Sequence, residues 1–327
     1  MPEPRITVAM SVFNNAPYLA EAIESILGQT FGDFEFLIVN DGSSDGSAAI
    51  IDGYAARDGR IRAIHQPNAG LVASLNRIIA EARGSLIARM DGDDVSQPER
   101  FERQVAFLDS HPDHGVVGTC TNDLDEKGQL HINSDFHPLD HATLMASLES
   151  GPVLCHPSVM ARRDLLRAVG GYRVAFRHCE DYDLWLRLAD RTRLCSLPDR
   201  LLHYRRSDGQ VSRKHVVEQQ IGAAVAYQAH LERQAGRPDP TETITRLPPI
   251  DELDDLFGRN GISRAVRAKV APNLVYSRNA LDTGYKLLLD HVREGGSKKG
   301  LWRTSVRLIK LGAPARAAKL AAALMLY

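Results

Sequence analysis

Apolar and polar positions alternate between two periods along the first 120 residues. Ile6 to Val12 is a short apolar run and reads as a strand, whereas Tyr18 to Leu27 places Leu19, Ala22, Ile23 and Ile26 on one helical face. The same exchange repeats down the chain. Phe34 to Val39 predicts a strand and the stretch to about Ala56 a helix; Ile61 to His65 predicts a strand and Leu71 to Ala82 a helix. Leu86 to Met90 predicts a further strand, followed by a helix from Pro98 to Ser110 and a strand over Val116 to Thr119. This β-α-β order argues for a parallel sheet covered by helices on both faces. From Thr121 to about Tyr204 the pattern is irregular, as in a mixed half. After Ser212 it is helical, with Gly236–Pro240 and Leu247–Pro249 as linkers.

A length of 327 residues suits a large domain with an appendage, and 43% hydrophobic with 25% charged residues suits a soluble protein. A formal net charge of −1 disfavours nucleic acid as a partner. Cys120, Cys155, Cys179 and Cys195 are scattered without a C-x-x-C pair, which fits a reducing compartment. The acidic N-terminus shows no signal peptide, and no apolar run reaches the length of a membrane span. The expected location is therefore cytoplasmic.

The strongest chemical signal is Asp91-Gly92-Asp93-Asp94, at the carboxyl end of the Leu86–Met90 run. Ser96-Gln97-Pro98-Glu99 then reads as a capping box, with Ser96 as cap, Glu99 reaching back and Pro98 in the first turn. Open α/β sheets bind ligands at that edge. Three adjacent carboxylates repel unless a positive group sits among them, and an all-oxygen set suits Mg²⁺ or Mn²⁺ rather than zinc. A solvated Asp-Gly turn is the alternative. Glu180 and Asp181 precede a helix whose Leu184, Trp185 and Leu188 form an apolar face. They could satisfy the free N–H groups of that helix, or one of them could act as a general base.

With these motifs in place, the chain resembles an inverting family-two glycosyltransferase of the GT-A fold over roughly residues 5 to 213. The resemblance rests on Ser11-Val12-Phe13-Asn14-Asn15, Val39 to Asp45, Asn68 to Leu71 with Asn76, Asp91-Gly92-Asp93 and Glu180 to Trp185. Phe13 stands where a tyrosine is usual. The resemblance implies a GT-A, Rossmann-like, mostly parallel sheet over residues 1–213. Residues 1–120 would bind a nucleotide sugar and residues 121–213 the acceptor, with a helical region over 214–327. It implies donor contacts from Val12, Phe13, Asn14, Asp41, Asn68, Asn76, Asp91 and Arg206. Asp41 could accept from a pyrimidine N3–H, and Phe13 could stack on the base. Asp93, with Asp91, would hold Mn²⁺ or Mg²⁺. Asp181 would be the base, with Glu180 in reserve, while His156 and Trp185 would lie on the acceptor side. Tyr204 to Ser212 resembles the family's loop over the diphosphate, where Arg205 or Arg206 could hold phosphate. A UDP-sugar is the default donor, the acceptor is a glycan or lipid-linked hydroxyl, and the setting is bacterial surface polysaccharide or glycan assembly.

Two rivals remain. Ile87 to Val95 also fits the aspartyl-phosphate motif of haloacid-dehalogenase-like phosphatases, and a catalytically inactive nucleotide-binding scaffold would keep the same fold. Beyond Glu294 the chain has no acid and seven cations: Lys298, Lys299, Arg303, Arg307, Lys310, Arg316 and Lys319. Helical spacing sets Lys299, Arg303, Arg307 and Lys310 against Leu301, Trp302, Val306, Leu308 and Ile309. A basic amphipathic tail over residues 298–327 suits the inner face of the cytoplasmic membrane, or else packs on the protein with its cations in water.

Overall fold

The computed structural model of the chain describes residues 3–133, 139–206, 215–276 and 280–327. Two compact units emerge: Met1–Val174 with Glu180–Gln210, and Ala175–Cys179 with Val211–Tyr327.

The first unit opens with β1 (Ile6–Val12), α1 (Ala16–Leu27), β2 (Phe34–Asp41), α2 (Ser47–Ala55), β3 (Ile61–Gln66), α3 (Leu71–Glu81) and β4 (Leu86–Asp91). The four strands pair in parallel in the order β3-β2-β1-β4. Their near-continuous apolar sequence follows from burial on both faces. Alternate residues of β1 divide between two cores. Ile6, Val8, Met10 and Val12 pack with α1, α2 and Phe101, while Ala9 packs with Leu75 and Ile78 of α3. Register then aligns the strand ends. Ser11 lies opposite Asp91, and Val12 opposite Asn40.

Beyond β4 the order continues through β5 (Val95–Ser96), α4 (Arg100–Ser110), β6 (His114–Leu124), β7 (Leu130–His131), α5 (His141–Ser147), β8 (Met160–Arg162), α6 (Arg163–Ala168), α7 (Glu180–Ala189) and β9 (Arg193–Arg205). Here β8 pairs antiparallel with β4 and β6, and β9 runs parallel to β6 and antiparallel to β5. The sheet is therefore mixed; its parallel character is confined to β1–β4 and the β6–β9 pair.

One local expectation is corrected. Ser96 caps no helix, because Val95–Ser96 is drawn into a ladder with His203 and Leu202. Helix α4 starts later, at Arg100, without a side-chain cap from its own N-cap residue Glu99. Its free N–H groups find a distant acceptor instead: Gln29 Oε1 accepts from Phe101 N at 3.1 Å. The same amide donates to Ser96 Oγ and the Gln97 carbonyl. One side chain thus ties α1 to the turn that follows β4.

In the second unit, α8 (Val216–Gln234), α9 (Leu253–Phe257), α10 (Ile262–Leu274), α11 (Leu281–Arg293), α12 (Leu301–Lys310) and α13 (Pro314–Leu326) follow one another. Leu288, Val292, Leu308, Leu320 and Leu324 share one buried cluster. The described residues contain no helix long and apolar enough to cross a membrane.

Candidate active site

The carboxyl ends of β1, β2 and β4 gather the candidate residues. At the end of β4, oxygens of Asp91, Asp93 and Asp94 all lie within 4.8 Å of one another. The positive group such a cluster requires is Arg89, which is buried in the strand and donates to Asp91 Oδ1 at 2.6 Å. Asp94 is the anchored member, with Oδ1 accepting from Arg205 N at 2.8 Å. Its Oδ2 is buried and lacks a protein partner. Burial, with Asp91 beside it, pushes Asp93 up to about 6 and Asp94 well above the carboxylate range. A buried oxygen without a donor and crowded carboxylates held above their ordinary range are what a divalent cation would relieve. The residues therefore fit one, and their all-oxygen chemistry suits Mg²⁺ or Mn²⁺.

The second acidic pair opens α7. Glu180 is buried and pushed up to about 7, by burial first and then by the charge of Asp181. Asp181 is pushed up to about 6 by burial, and its Oδ1 accepts from Tyr182 N at 2.7 Å. Arg89 draws both values back down, so one guanidinium serves both acidic groups. Asp183 and Arg187 hold α7 in place: Asp183 Oδ2 is 2.6 Å from Arg187 Nη2, which also donates to the Gly171 carbonyl.

Several expected residues do something other than offer a free side chain. Asp41 is almost fully buried; its Oδ1 accepts from Gln66 Nε2 and Ala69 N, and its Oδ2 from Gly70 N, each at 2.8 Å. Of about four acceptor positions on a carboxylate, one remains for a base. Asn68 donates to the Asp41 carbonyl at 3.0 Å. Gly42 carries a φ of 74°, and a Cβ there would lie 2.6 Å from Asn68 N, so the turn requires glycine. Asn76 uses its amide on the backbone of Tyr172 in both directions, at 2.8 Å each way. It is a clamp between α3 and the segment before α7. Val12 is buried in the core and can offer only backbone.

Phe13, by contrast, is 50% exposed at the end of β1. Asn14 takes a φ of 56° and accepts from Ser44 N at 2.8 Å, stitching the first two strand-end loops together. His156 Nε2 lies 2.7 Å from the Tyr172 hydroxyl, and burial, with Arg89 nearby, pushes its imidazole well below the ordinary range. Trp185 is buried, edge-on to His156 with ring centroids 6.0 Å apart. It packs against His156 and is only 1% exposed.

Arg205, which ends β9, and Arg206, which follows it, separate clearly. Arg205 is buried, donates to the Asp93 carbonyl at 2.7 Å and to Glu21 at 2.6 Å, and lies over the Tyr18 ring. Arg206 is half exposed, 3.2 Å from Asp123 and over the Tyr204 ring. Of the two, only Arg206 carries an exposed guanidinium. The remainder of the expected diphosphate loop, Ser207 to Ser212, lies outside the described residues. Pattern reading missed Arg100, which is fully buried beneath the site, donates to the Arg89 carbonyl at 2.7 Å and is pushed down to about 9 by burial. It also missed Tyr172; neither residue carries a local signal.

Comparison with known proteins agrees with this geometry. The family described as Glycosyl transferase family 2 matches residues 7–170. EpsE of Bacillus subtilis (strain 168), which is named a glycosyltransferase, is 36% identical over 231 residues, covering 69% of this chain and 82% of that protein. The O-antigen biosynthesis glycosyltransferase WbnJ of Escherichia coli is 34% identical over 204 residues, covering 61% and 79%. Among solved structures, S. aureus TarS 1-349 in complex with UDP-GlcNAc superposes with a TM-score of 0.60 at 19% identity, covering 90% of this chain and 93% of that one. Mannosyltransferase PcManGT from Pyrobaculum calidifontis, in complex with GDP-Man and Mn²⁺, gives 0.54 at 18% identity over 99% and 88%. The fold is GT-A, as the sequence motifs implied. No comparison supports the phosphatase rival.

Proposed function

Because the chain belongs to glycosyltransferase family 2, we propose that it moves a sugar from a nucleotide-diphosphate donor to an acceptor hydroxyl with inversion, in polysaccharide biosynthesis. The observation that carries this reading is the pairing of two acidic groups of different character around Arg89. One is an all-oxygen cluster at the sheet edge. The other is the pair at the start of α7, Glu180 buried and Asp181 half-buried, pushed up toward neutrality.

Asp93 and Asp91 would hold Mg²⁺ or Mn²⁺, which when bound supplies charge neutralisation to a departing diphosphate. The protein's own residues do the rest. Phe13 offers a face for the base, and the remaining acceptor position of Asp41 suits a pyrimidine N3–H. Arg206 meets phosphate. Asp181 takes the proton from the acceptor hydroxyl as the new C–O bond forms, and Glu180 beside it is the reserve base. One base suffices for inversion; hydrolytic retention would need a second carboxyl flanking the bond. His156, neutral and steadied by Tyr172 and Trp185, would face the acceptor. UDP-sugar is the default donor. GDP-sugar is the competitor that PcManGT's own ligand brings to mind.

The reading extends to a cytoplasmic enzyme held at the inner face of the membrane by residues 298–327, which suits a lipid-linked acceptor. Support comes from α12, where Trp302, Val306 and Ile309 are all at least half exposed. A thermal-shift screen of UDP-, dTDP-, GDP- and CDP-sugars with Mn²⁺ tests the donor assignment. A true donor at 100 times its Kd should stabilise the fold by about 2.7 kcal/mol. No shift with any nucleotide sugar would refute it.

A further inference from the structure

In the second unit, nitrogen and oxygen ligands converge at a place that the transfer chemistry does not use. His178 lies near the end of Ala175–Cys179, His215 immediately precedes α8, and Glu218 sits in the first turn of α8. His215 Nδ1 is 2.7 Å from Glu218 Oε2, and His178 Nε2 is 3.9 Å from the same oxygen. The two imidazoles stack, with centroids 4.0 Å apart and planes 15° from parallel. One ligand atom from each of the three residues lies within 4.8 Å of the others.

An ordinary surface ion pair accounts for His215 and Glu218, since a carboxylate in the first turn of a helix is favourable there. It does not account for His178. That residue takes a φ of 66°, in the left-handed region that side chains with a Cβ seldom occupy. The strained backbone brings a second imidazole against the first, where two cationic rings would repel. Burial, and then His215, push His178 below the ordinary histidine range.

We propose that His178, His215 and Glu218 form a zinc site that clips the Ala175–Cys179 segment to the start of α8. Two imidazoles and one carboxylate are a borderline donor set, which suits Zn²⁺ and disfavours the Mg²⁺ or Mn²⁺ expected at the Asp91–Asp94 cluster. Tetrahedral zinc with bonds of roughly 2.0–2.1 Å sets its ligand atoms about 3.3 Å apart. The present separations of 2.7 and 3.9 Å fall on either side of that value, and one imidazole must turn out of the stack to bring both in-plane lone pairs onto the ion. Ligation through Nδ1 uses the lone pair of neutral His215, whose single ring proton then sits on Nε2. Side-chain exposures of 19%, 41% and 65% for His178, His215 and Glu218 give the ion a route in and leave a fourth position for water.

The test uses the full-length, metal-stripped protein. Zn²⁺ binding is measured by competition with a chromogenic chelator, and Co²⁺ absorption reports the ligand geometry. The variants are His215→Ala, Glu218→Gln, Asp93→Ala and His178→Asn, the last because asparagine tolerates the left-handed backbone. Wild type and Asp93→Ala should bind one equivalent of Zn²⁺ with equal affinity. His215→Ala and His178→Asn should each bind at least tenfold more weakly, and wild type should show tetrahedral Co²⁺ bands that both lose. Equal zinc affinity in wild type and both histidine variants, or the absence of a stoichiometric site in wild type, would overturn the proposal. Because the readout is metal binding, failure of the glycosyl-transfer reading would leave the result unaffected.

Discussion

Arg89 decides how the acidic residues of this site can coexist. Buried in β4, it bonds Asp91 and draws down the Glu180 and Asp181 values that burial raises. The sequence places Arg89 as an interruption in an apolar strand but carries no sign of the pair it would serve 90 residues later. Asp93→Ala should abolish transfer and remove the Mn²⁺ dependence of nucleotide-diphosphate binding, measured by calorimetry with and without the metal. Wild-type turnover in that variant would show that the metal assignment is wrong. Asp181 leads to a prediction about pH. As a base pushed up to about 6, it is ionised above that value and protonated below it, so kcat should fall tenfold per unit as pH drops beneath about 6. Asp181→Asn should lose about 10²–10⁴-fold in kcat and erase that acid limb, with donor affinity little changed. Stability separates the base from a helix cap. A carboxyl raised above its unfolded value contributes stability at low pH that is lost as pH rises through about 6, so its ionised form burdens the fold. The asparagine variant should therefore melt no lower than wild type at pH 8, whereas removal of a needed cap would lower its Tm.

At the scale of elements, regular patterns were legible and long-range tethers were not. Strands β1–β4 and helices α1 and α3 follow from period and apolar runs, because burial on both faces forces the composition. The capping box at Ser96 failed because a two-residue ladder with β9 took that serine, and Gln29, 72 residues distant from Phe101, replaced it. Gln29→Leu removes the acceptor for Phe101 N and the donor to Ser96 and Gln97. It should cost about 1–3 kcal/mol in chemical denaturation, the penalty for stranding buried polar groups. A variant as stable as wild type would show that the tether carries no weight. The basic tail divides more finely than its sequence suggested. Leu301, Thr304, Ser305 and Leu308 of α12 face inward, while Trp302, Val306 and Ile309 form an exposed apolar ridge beside Arg303, Arg307 and Lys310. That adjacency of apolar ridge and cations matches an anionic lipid surface, where each cation contributes roughly 1 kcal/mol. Trp302→Ser with Ile309→Ser should release the protein from anionic liposomes in co-sedimentation without lowering its Tm, and high salt should weaken wild-type binding. Unchanged binding by the double variant would return α12 to a packing role.

Across the whole molecule, the first unit was readable because its chemistry follows strand ends, and strand ends follow the hydrophobic pattern. Asp91, Asp93, Asp41 and Phe13 were picked out for that reason. Asn76 and Trp185 show that position in a motif does not tell which way a side chain turns. One spends its amide on Tyr172 and the other lies in the core. The second unit carries no such guide; its helices follow a generic amphipathic period, and His178 and His215 meet only through folding. The central claim is that Asp181 activates an incoming hydroxyl for single displacement at the anomeric carbon. It is tested most directly by NMR detection of the first sugar anomer released when wild type hydrolyses its best nucleotide sugar in the absence of acceptor. The account predicts an initial anomer opposite to that of the donor, and a rate about 10²–10⁴-fold lower in Asp181→Asn. An initial anomer matching the donor, or full turnover in Asp181→Asn, would contradict it.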